Sequence, residues 1–250
     1  MTSFSNLPIE RLKVLLEKAE KERVLEKYKG PAWTPETFER IRYVVFAAKA
    51  QHPPPNNPFR ITGWQPPENK INDALAELLM PSPDLLGQKV ISRILQFLLK
   101  SGDKRCKFIL DEISGVTCRY SVRREFPHGD SRPDIAIFSD TFVIFIENKT
   151  RRGTETFYRG QHQTERQSRL LQRFGDDKNI PQSHRIGIFL TPTGASPKHL
   201  EHYHSISTKD FCSAARQAIL EAHRDPEASI LESPRSILSL AFLWAYEDAS

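Results

Sequence analysis

Cysteine is scarce in this chain of 250 residues, which has three cysteines and no Cys-x-x-Cys spacing. An odd count without that spacing excludes a disulfide framework, and it predicts reduced thiols and a cytoplasmic location. The chain also lacks an apolar run of membrane-spanning length and a charged-then-apolar leader, so we expect no membrane partner. Internal repeats and the phosphate-binding Gly-x4-Gly-Lys-Ser/Thr motif are absent too, which argues against solenoids and P-loop NTPases.

An excess of one charge sign is also modest, since the formal net charge is +5. Residues 118–185 carry 13 Lys and Arg against 9 Asp and Glu. Such an excess is compatible with a nucleic-acid partner, although plain solvation explains it equally well. The length and the 38% hydrophobic content are sufficient for one sizeable domain with an extension.

Two apolar runs around a short polar stretch are the most informative part of the chain. Residues 132–138 and 141–149 flank Ser139-Asp140, which predicts a β-hairpin with a two-residue turn. Residues i and i+2 of a strand share a face, so Glu147 and Lys149 lie together. A two-residue turn would pair Asp134 with Phe145, one diagonal step from Glu147. We therefore expect Asp134, Glu147 and Lys149 to converge at one end of the ribbon.

These three side chains suit one kind of chemistry. Two carboxylates at that range repel each other unless a cation joins them, and Mg²⁺ prefers such oxygen ligands. A neighbouring lysine can hold an attacking water or stabilise negative charge on a phosphate. The group is therefore suited to metal-assisted phosphodiester hydrolysis. The alternative is a cross-strand ion pair between Asp134 and Lys149 on a solvated sheet face.

The motif resembles that of the PD-(D/E)XK nuclease superfamily. Pro133-Asp134 corresponds to "PD" and Glu147-Asn148-Lys149 to "(D/E)XK", with an apolar hairpin between them. The resemblance implies a metal-dependent endonuclease that acts on DNA rather than RNA. Asp134, Glu147 and the carbonyl of Asn148 would hold Mg²⁺ or Mn²⁺. Lys149 would orient or deprotonate the attacking water.

A helical pattern after the hairpin carries two glutamines on its apolar face. Gln163 and Gln167 precede Leu170, Leu171 and Phe174 at helical spacing. Buried amides are costly unless hydrogen-bonded, so we expect both to face something polar, such as the site. One bacterial branch of the superfamily has Gln-Leu-x-Arg-Tyr here, matched from Gln163 without the leucine and tyrosine. That match implies a supporting role for Gln163, and the alternative is a helix N-terminus with half-exposed glutamines.

Glu68 is the acidic residue on the core-facing side of a helix that is predicted upstream of the hairpin. The apolar stripe of the helix predicted over 68–80 lies on the side of Glu68, whereas Asp73 and Glu77 point away. The same branch opens a Leu-Ala-x-Leu-Leu helix with a glutamate, which implies Glu68 as a further metal ligand. Its usual His-Gly pair is Leu86-Gly87 here. The alternative is a first-turn acid that stabilises the helix dipole.

The order of elements predicts an α/β fold with a restriction-endonuclease-like core of mixed β-sheet flanked by helices. A strand over 118–126 would pair with the hairpin, and 185–194 is a buried strand with the Leu-Thr-Pro-x-Gly ending of that branch. Further helices are predicted over 86–99, 209–223 and 234–246. Residues 1–62 predict an N-terminal helical extension and Pro-rich linker, and 63–250 predict the nuclease-like domain.

Basic residues after Lys149 are candidates for contacts with phosphates. The candidate nucleic-acid-binding residues are Arg151, Arg152, Arg159, Arg166 and Arg169. Two alternatives to a nuclease are a catalytically inactive copy that binds nucleic acid or protein, and an interaction protein that works through its N-terminal charged helix. A homodimer is left open.

Three histidines lie close together in the sequence, namely His199, His202 and His204. Zinc sites need three or four ligands, and no neighbouring cysteine or inward-facing acid completes the set. We therefore expect a solvent-facing loop or nucleic-acid contacts here.

Overall fold

The computed structural model describes residues 68–83, 85–115, 118–126, 131–150, 157–158, 160–197, 201–222 and 234–249. The predicted extension and linker over 1–62, and the predicted boundary at residue 63, lie outside these ranges. Within these ranges, no helix has the length and apolar character that crossing a membrane requires.

The described residues form six α-helices and seven strands. The helices are α1 Glu68–Leu79, α2 Leu86–Lys100, α3 Arg105–Ile113, α4 Gln163–Asp177, α5 Thr208–Ala222 and α6 Pro234–Ala249. The strands are β1 Ser121–Arg124, β2 Ile135–Phe138, β3 Val143–Asn148, β4 Phe157–Tyr158, β5 Gln161–His162, β6 Arg185–Thr191 and β7 Tyr203–Ser207.

Five of the strands form a mixed sheet in the order β1-β2-β3-β6-β7. β1 pairs with β2 and β2 pairs with β3 in antiparallel fashion. β3 pairs with β6 and β6 pairs with β7 in parallel. A parallel connection needs a crossover, and α4 lies in the crossover between β3 and β6. The prediction of a mixed α/β sheet flanked by helices is confirmed.

The two faces of the central strand β3 pack in two separate cores. Ile144 and Ile146 belong to the larger core, which contains residues of α1, α2, α3, α5 and α6. Phe145 belongs to the smaller core, with Leu171 and Phe174 of α4. Side chains alternate along a strand, so odd-numbered residues of β3 face α4 and even-numbered ones face the other helices.

The loop between β2 and β3 is longer than two residues, so the predicted length of the turn was wrong. Phe138 pairs with Val143, so four residues connect the strands. Ser139 Oγ accepts hydrogen bonds from the backbone N–H groups of Thr141 and Phe142 at 3.0 and 3.1 Å. Phe142 is buried in the larger core, so it packs there as part of the loop and does not extend β3. The register changes by two residues, which leaves every side chain on its predicted face.

Helices predicted over 68–80, 86–99, 209–223 and 234–246 agree with α1, α2, α5 and α6 to within a few residues. The strand predicted over 118–126 is shorter, since β1 ends at Arg124 and Glu125 adopts a left-handed backbone with φ of 43°. Helix α3 and strand β7 were not predicted. The buried positions of α3, namely Cys106, Ile109 and Ile113, have a helical spacing that could have revealed it.

Candidate active site

Asp134 and Glu147 lie side by side at one end of β2 and β3. Ile135 pairs with Ile146, so one further step along the ladder places Asp134 opposite Glu147. Asp134 Oδ2 accepts a hydrogen bond from the backbone N–H of Asn148 at 2.8 Å. By alternation, both carboxylates are on the sheet face that packs against α4. The structure therefore brings the two acids of the motif together.

Glu147 is the buried centre of the cluster and is 0% exposed. Lys149 Nζ lies 2.5 Å from its Oε1, and Gln167 Nε2 donates a hydrogen bond of 2.5 Å to its Oε2. Gln167 is itself held in place, because Nε2 also donates to the carbonyl of Arg132 and Oε1 accepts from the hydroxyl of Tyr203 at 2.8 Å. These contacts fix the orientation of the Glu147 carboxylate.

The supporting amide of the site is Gln167 rather than Gln163. The two glutamines lie one turn apart on the same face of α4, and only Gln167 hydrogen-bonds Glu147 among the described residues. Gln163 Oε1 is buried there without a hydrogen-bond partner. The hydrogen bond to Glu147 thus comes from Gln167, and the supporting role that the motif match implies for Gln163 stays a prediction.

Asn148 presents its backbone, not its side chain, to the two carboxylates. Its side chain is 0% exposed on the opposite sheet face, where it bonds to Asn72 of α1 and Tyr246 of α6. The N–H of Asn148 points to Asp134. In an extended strand the N–H and C=O of one residue point to the same side, so we expect its carbonyl to face the site as well.

Glu68 opens α1 beside the end of β3. Its Oε2 accepts a hydrogen bond from Thr150 Oγ at 3.3 Å. The carboxylate is within electrostatic range of Asp134, Glu147 and Lys149. The structure therefore places the Glu68 carboxylate near the cluster, where it hydrogen-bonds Thr150.

The electrostatics of the cluster oppose two negative charges at once. Burial raises the pKa of Asp134 to about 8, and the neighbouring Glu147 adds to this rise while the Asn148 N–H and Lys149 oppose it. Burial also raises the pKa of Glu147, despite the nearby ammonium of Lys149. Burial alone would lower the pKa of Lys149, but the Glu147 carboxylate reverses the effect and raises it. Lys149 is therefore an ammonium ion at neutral pH, and burial disfavours simultaneous ionisation of the two acids.

The oxygen atoms of this cluster fit a small hard cation. No group of three or more His, Cys, Asp and Glu residues has metal-ligating geometry in the described ranges, so Glu68 does not form a direct ligand set with the other two acids. The available donors are Asp134, Glu147 and the carbonyl of Asn148. Mg²⁺ commonly uses one or two carboxylates, keeps several waters and takes phosphate oxygens from the substrate. The carboxylate and carbonyl oxygens at this end of the sheet are donors of the kind that Mg²⁺ and Mn²⁺ use in proteins.

Comparisons with known proteins assign no function to this site. The chain matches no protein-family model, no curated protein and no solved structure. The resemblance to the PD-(D/E)XK nucleases therefore rests on the motif residues of the sequence alone.

The predicted nucleic-acid-binding arginines are described only in part. Arg151, Arg152 and Arg159 lie outside the described residues. Arg166 and Arg169 lie on α4, where Arg166 donates to the carbonyl of Gln161 and Arg169 pairs with Glu165 at 2.5 Å. The side chain of Arg169 is 59% exposed, so its guanidinium is accessible to a ligand.

His202 and His204 are half-buried and do not lie on a solvent-facing loop, whereas the alternative expectation of nucleic-acid contacts stays a prediction. His204 lies in β7 and its Nε2 is 2.6 Å from Asp103 Oδ2, a buried carboxylate that also binds Arg105. His202 Nε2 contacts Gln172 of α4 at 3.1 Å, and His199 lies outside the described residues. These partners are far apart in the chain, so the sequence carried no sign of them.

Sequence reasoning missed three polar residues that support the cluster, namely Asn72, Tyr203 and Tyr246. Asn72 is a polar residue on the apolar stripe of α1, and that position is a usable signal. The two tyrosines come from elements far along the chain, and nothing local marks them.

Proposed function

We propose that this protein is a metal-dependent nuclease that hydrolyses phosphodiester bonds, in DNA rather than RNA. The observation that carries the proposal is the buried cluster of Asp134, Glu147 and Lys149. Burying two acids beside each other lowers the stability of the fold unless a favourable interaction compensates their charges. A cation that neutralises them and also binds a phosphate would provide that gain.

Asp134, Glu147 and the carbonyl of Asn148 would hold the cation. When bound, a divalent ion in such a site supplies Lewis-acid stabilisation of the phosphate and lowers the pKa of a bound water. Gln167 keeps the Glu147 carboxylate turned towards the cluster, and the hydroxyl of Tyr203 keeps Gln167 in that orientation. These hydrogen bonds would reduce reorganisation of the charged groups during the reaction.

Lys149 would orient the attacking water and stabilise negative charge, rather than remove a proton. Its pKa is raised by Glu147, even though burial alone would lower it, so its ammonium has no free lone pair for a proton. An ammonium is a donor in three directions and attracts phosphate oxygens. Of the two roles expected for Lys149, orienting the water and deprotonating it, we therefore propose the first.

The direct test is a cleavage assay on supercoiled plasmid, linear duplex, single-stranded DNA and RNA. We expect cleavage of DNA in Mg²⁺ or Mn²⁺ and none in EDTA. Glu147→Gln keeps the size of the side chain but removes its charge. Because changes to outer-shell partners cost roughly 10–100-fold in metal sites, loss of a ligand should cost at least as much.

The matched control is Glu112→Gln, which changes an exposed glutamate of α3 in the same way. This variant should cleave as the unmodified protein does. Cleavage that persists in EDTA, or full activity in Glu147→Gln, would contradict the mechanism. Binding of DNA without cleavage under every condition would instead favour the catalytically inactive binding module.

A further inference from the structure

Two hydrogen bonds between side chains join α1 to the end of β3 on the face away from α4. Asn148 Nδ2 donates to Asn72 Oδ1 at 2.7 Å, and Thr150 Oγ donates to Glu68 Oε2 at 3.3 Å. Glu68 and Asn72 are four residues apart, about 6 Å along a helix. Asn148 is the last residue of β3, and Thr150 follows it two residues later, beyond the end of the strand. Two residues on successive turns of α1 are therefore hydrogen-bonded to the end of β3 and to the segment that follows it.

Tyr246 of α6 fixes the central amide of this arrangement. Its hydroxyl donates to Asn148 Oδ1 at 2.5 Å. Tyr246, Asn148 and Asn72 are all at most 3% exposed. With Oδ1 bound to a tyrosine donor and Nδ2 bound to an acceptor, the Asn148 amide has a single favourable orientation. We call these three residues the rear network.

The rear network lies directly behind the carboxylate cluster. Asn148 stands between Glu147 and Lys149 in the chain, and its backbone N–H holds Asp134 while its side chain holds α1. One residue therefore connects the two acids on one face of the sheet with the helix that carries Glu68 on the other.

Packing alone would leave the position of Glu68 loosely defined. Helix α1 is anchored by Ile71, Leu75, Leu78 and Leu79, and apolar contacts are non-directional. A buried network of polar groups specifies one arrangement when each member is satisfied. Hydrogen bonds from Asn148 and Thr150 thus set how far α1 extends past the end of β3.

We propose that Tyr246, Asn148 and Asn72 are positioning residues that hold the Glu68 carboxylate beside the proposed metal site, where it would strengthen the binding of a divalent ion. The inference rests on the proposed function. Glu68 forms no ligand group of three with Asp134 and Glu147 among the described residues, and its carboxylate lies within electrostatic range of both. A carboxylate at that range would act as an outer-shell partner, and such partners increase the affinity of a site for its metal.

The test measures equilibrium binding of Mn²⁺ to the metal-free protein by electron paramagnetic resonance. Tyr246→Phe removes only the hydroxyl that orients Asn148, and we expect its affinity for Mn²⁺ to fall about 10-fold. Asn72→Ala, which removes the partner on α1, should have the same effect and provides a second variant if the first does not fold. The control is Tyr120→Phe, because the Tyr120 hydroxyl donates to the carbonyl of Leu79 at the other end of α1. Its affinity should stay within about 2-fold of the unmodified value, since it lies away from the outer shell that tunes a metal.

A double-mutant cycle separates positioning from a general structural role. If the rear network acts through Glu68, Tyr246→Phe should have almost no further effect on Mn²⁺ affinity in a Glu68→Gln background. An equal loss in both backgrounds, or no loss in either, overturns the inference while the proposed function stands. Absence of Mn²⁺ binding by the unmodified protein overturns the proposed function and this inference with it.

Discussion

Replacing Asp134 by Asn should stabilise the metal-free protein while it removes a proposed metal ligand. The asparagine keeps a side-chain oxygen that can accept the hydrogen bond from the N–H of Asn148, which Asp134 Oδ2 accepts at 2.8 Å. It cannot ionise, so the repulsion between Asp134 and Glu147 disappears. Stability gained together with activity lost is the signature of a charged functional site.

The magnitude follows from the raised pKa of Asp134. Burial and the charge of Glu147 raise that pKa to about 8 in the folded protein, against about 3.9 in an unfolded chain. The folded state therefore binds the proton more tightly. Between these two pH values, the contribution of Asp134 to the free energy of unfolding falls by up to about 1.4 kcal/mol for each unit that the pH rises. The resulting loss of stability is close to zero near pH 3 and approaches roughly 5 kcal/mol at pH 8.

Urea unfolding in EDTA, at a series of pH values between about 4 and 8, measures this difference. The advantage of Asp134→Asn over the unmodified protein should grow steadily with pH. Asp140→Asn, in the exposed loop between β2 and β3, is the control and should show no such trend. Mn²⁺ should then stabilise only the protein with Asp134. A difference that does not change with pH would refute the reasoning about the paired acids.

Two further predictions concern the surroundings of the cluster. Gln167→Leu removes the donor that Glu147 Oε2 accepts at 2.5 Å, so it should lower the free energy of unfolding by about 1.5–3 kcal/mol in urea titrations; an unchanged stability would mean that this hydrogen bond contributes nothing. Arg151→Ala combined with Arg152→Ala, in the Glu147→Gln background, should weaken DNA binding and flatten the dependence of log affinity on log salt by up to about two units. An unaltered slope in a filter-binding titration would move the DNA-binding surface elsewhere.

Local patterns were sufficient to predict most of the architecture. The two apolar runs of β2 and β3 predicted the hairpin, and the two-residue period of a strand predicted its faces. The apolar stripe of α1 predicted which side of that helix is buried. The length of the hairpin loop depends on the burial of Phe142 in the larger core and on the hydroxyl of Ser139. Tertiary packing of this kind leaves no trace in hydrophobic periodicity, so the predicted two-residue turn failed.

The site was predictable where strand periodicity controls it and not where distant elements meet. Glu147 and Lys149 share a face because they are two residues apart, and a register change of two residues leaves that unchanged. Helical spacing places Gln163 and Gln167 on one face, but cannot choose between them. The choice is made by Tyr203, which comes from β7 and bonds to Gln167.

The most direct measurement of the central claim is an anomalous diffraction map at the manganese edge from crystals soaked in Mn²⁺. We expect one ordered ion with carboxylate oxygens of Asp134 and Glu147 as ligands, at the distance of roughly 2.1 Å that is typical of small divalent ions. We also expect this ion to be absent from crystals of Glu147→Gln soaked in the same way. An empty cluster in the unmodified protein, or an ion bound only elsewhere, would contradict the claim that these two buried acids form a metal site.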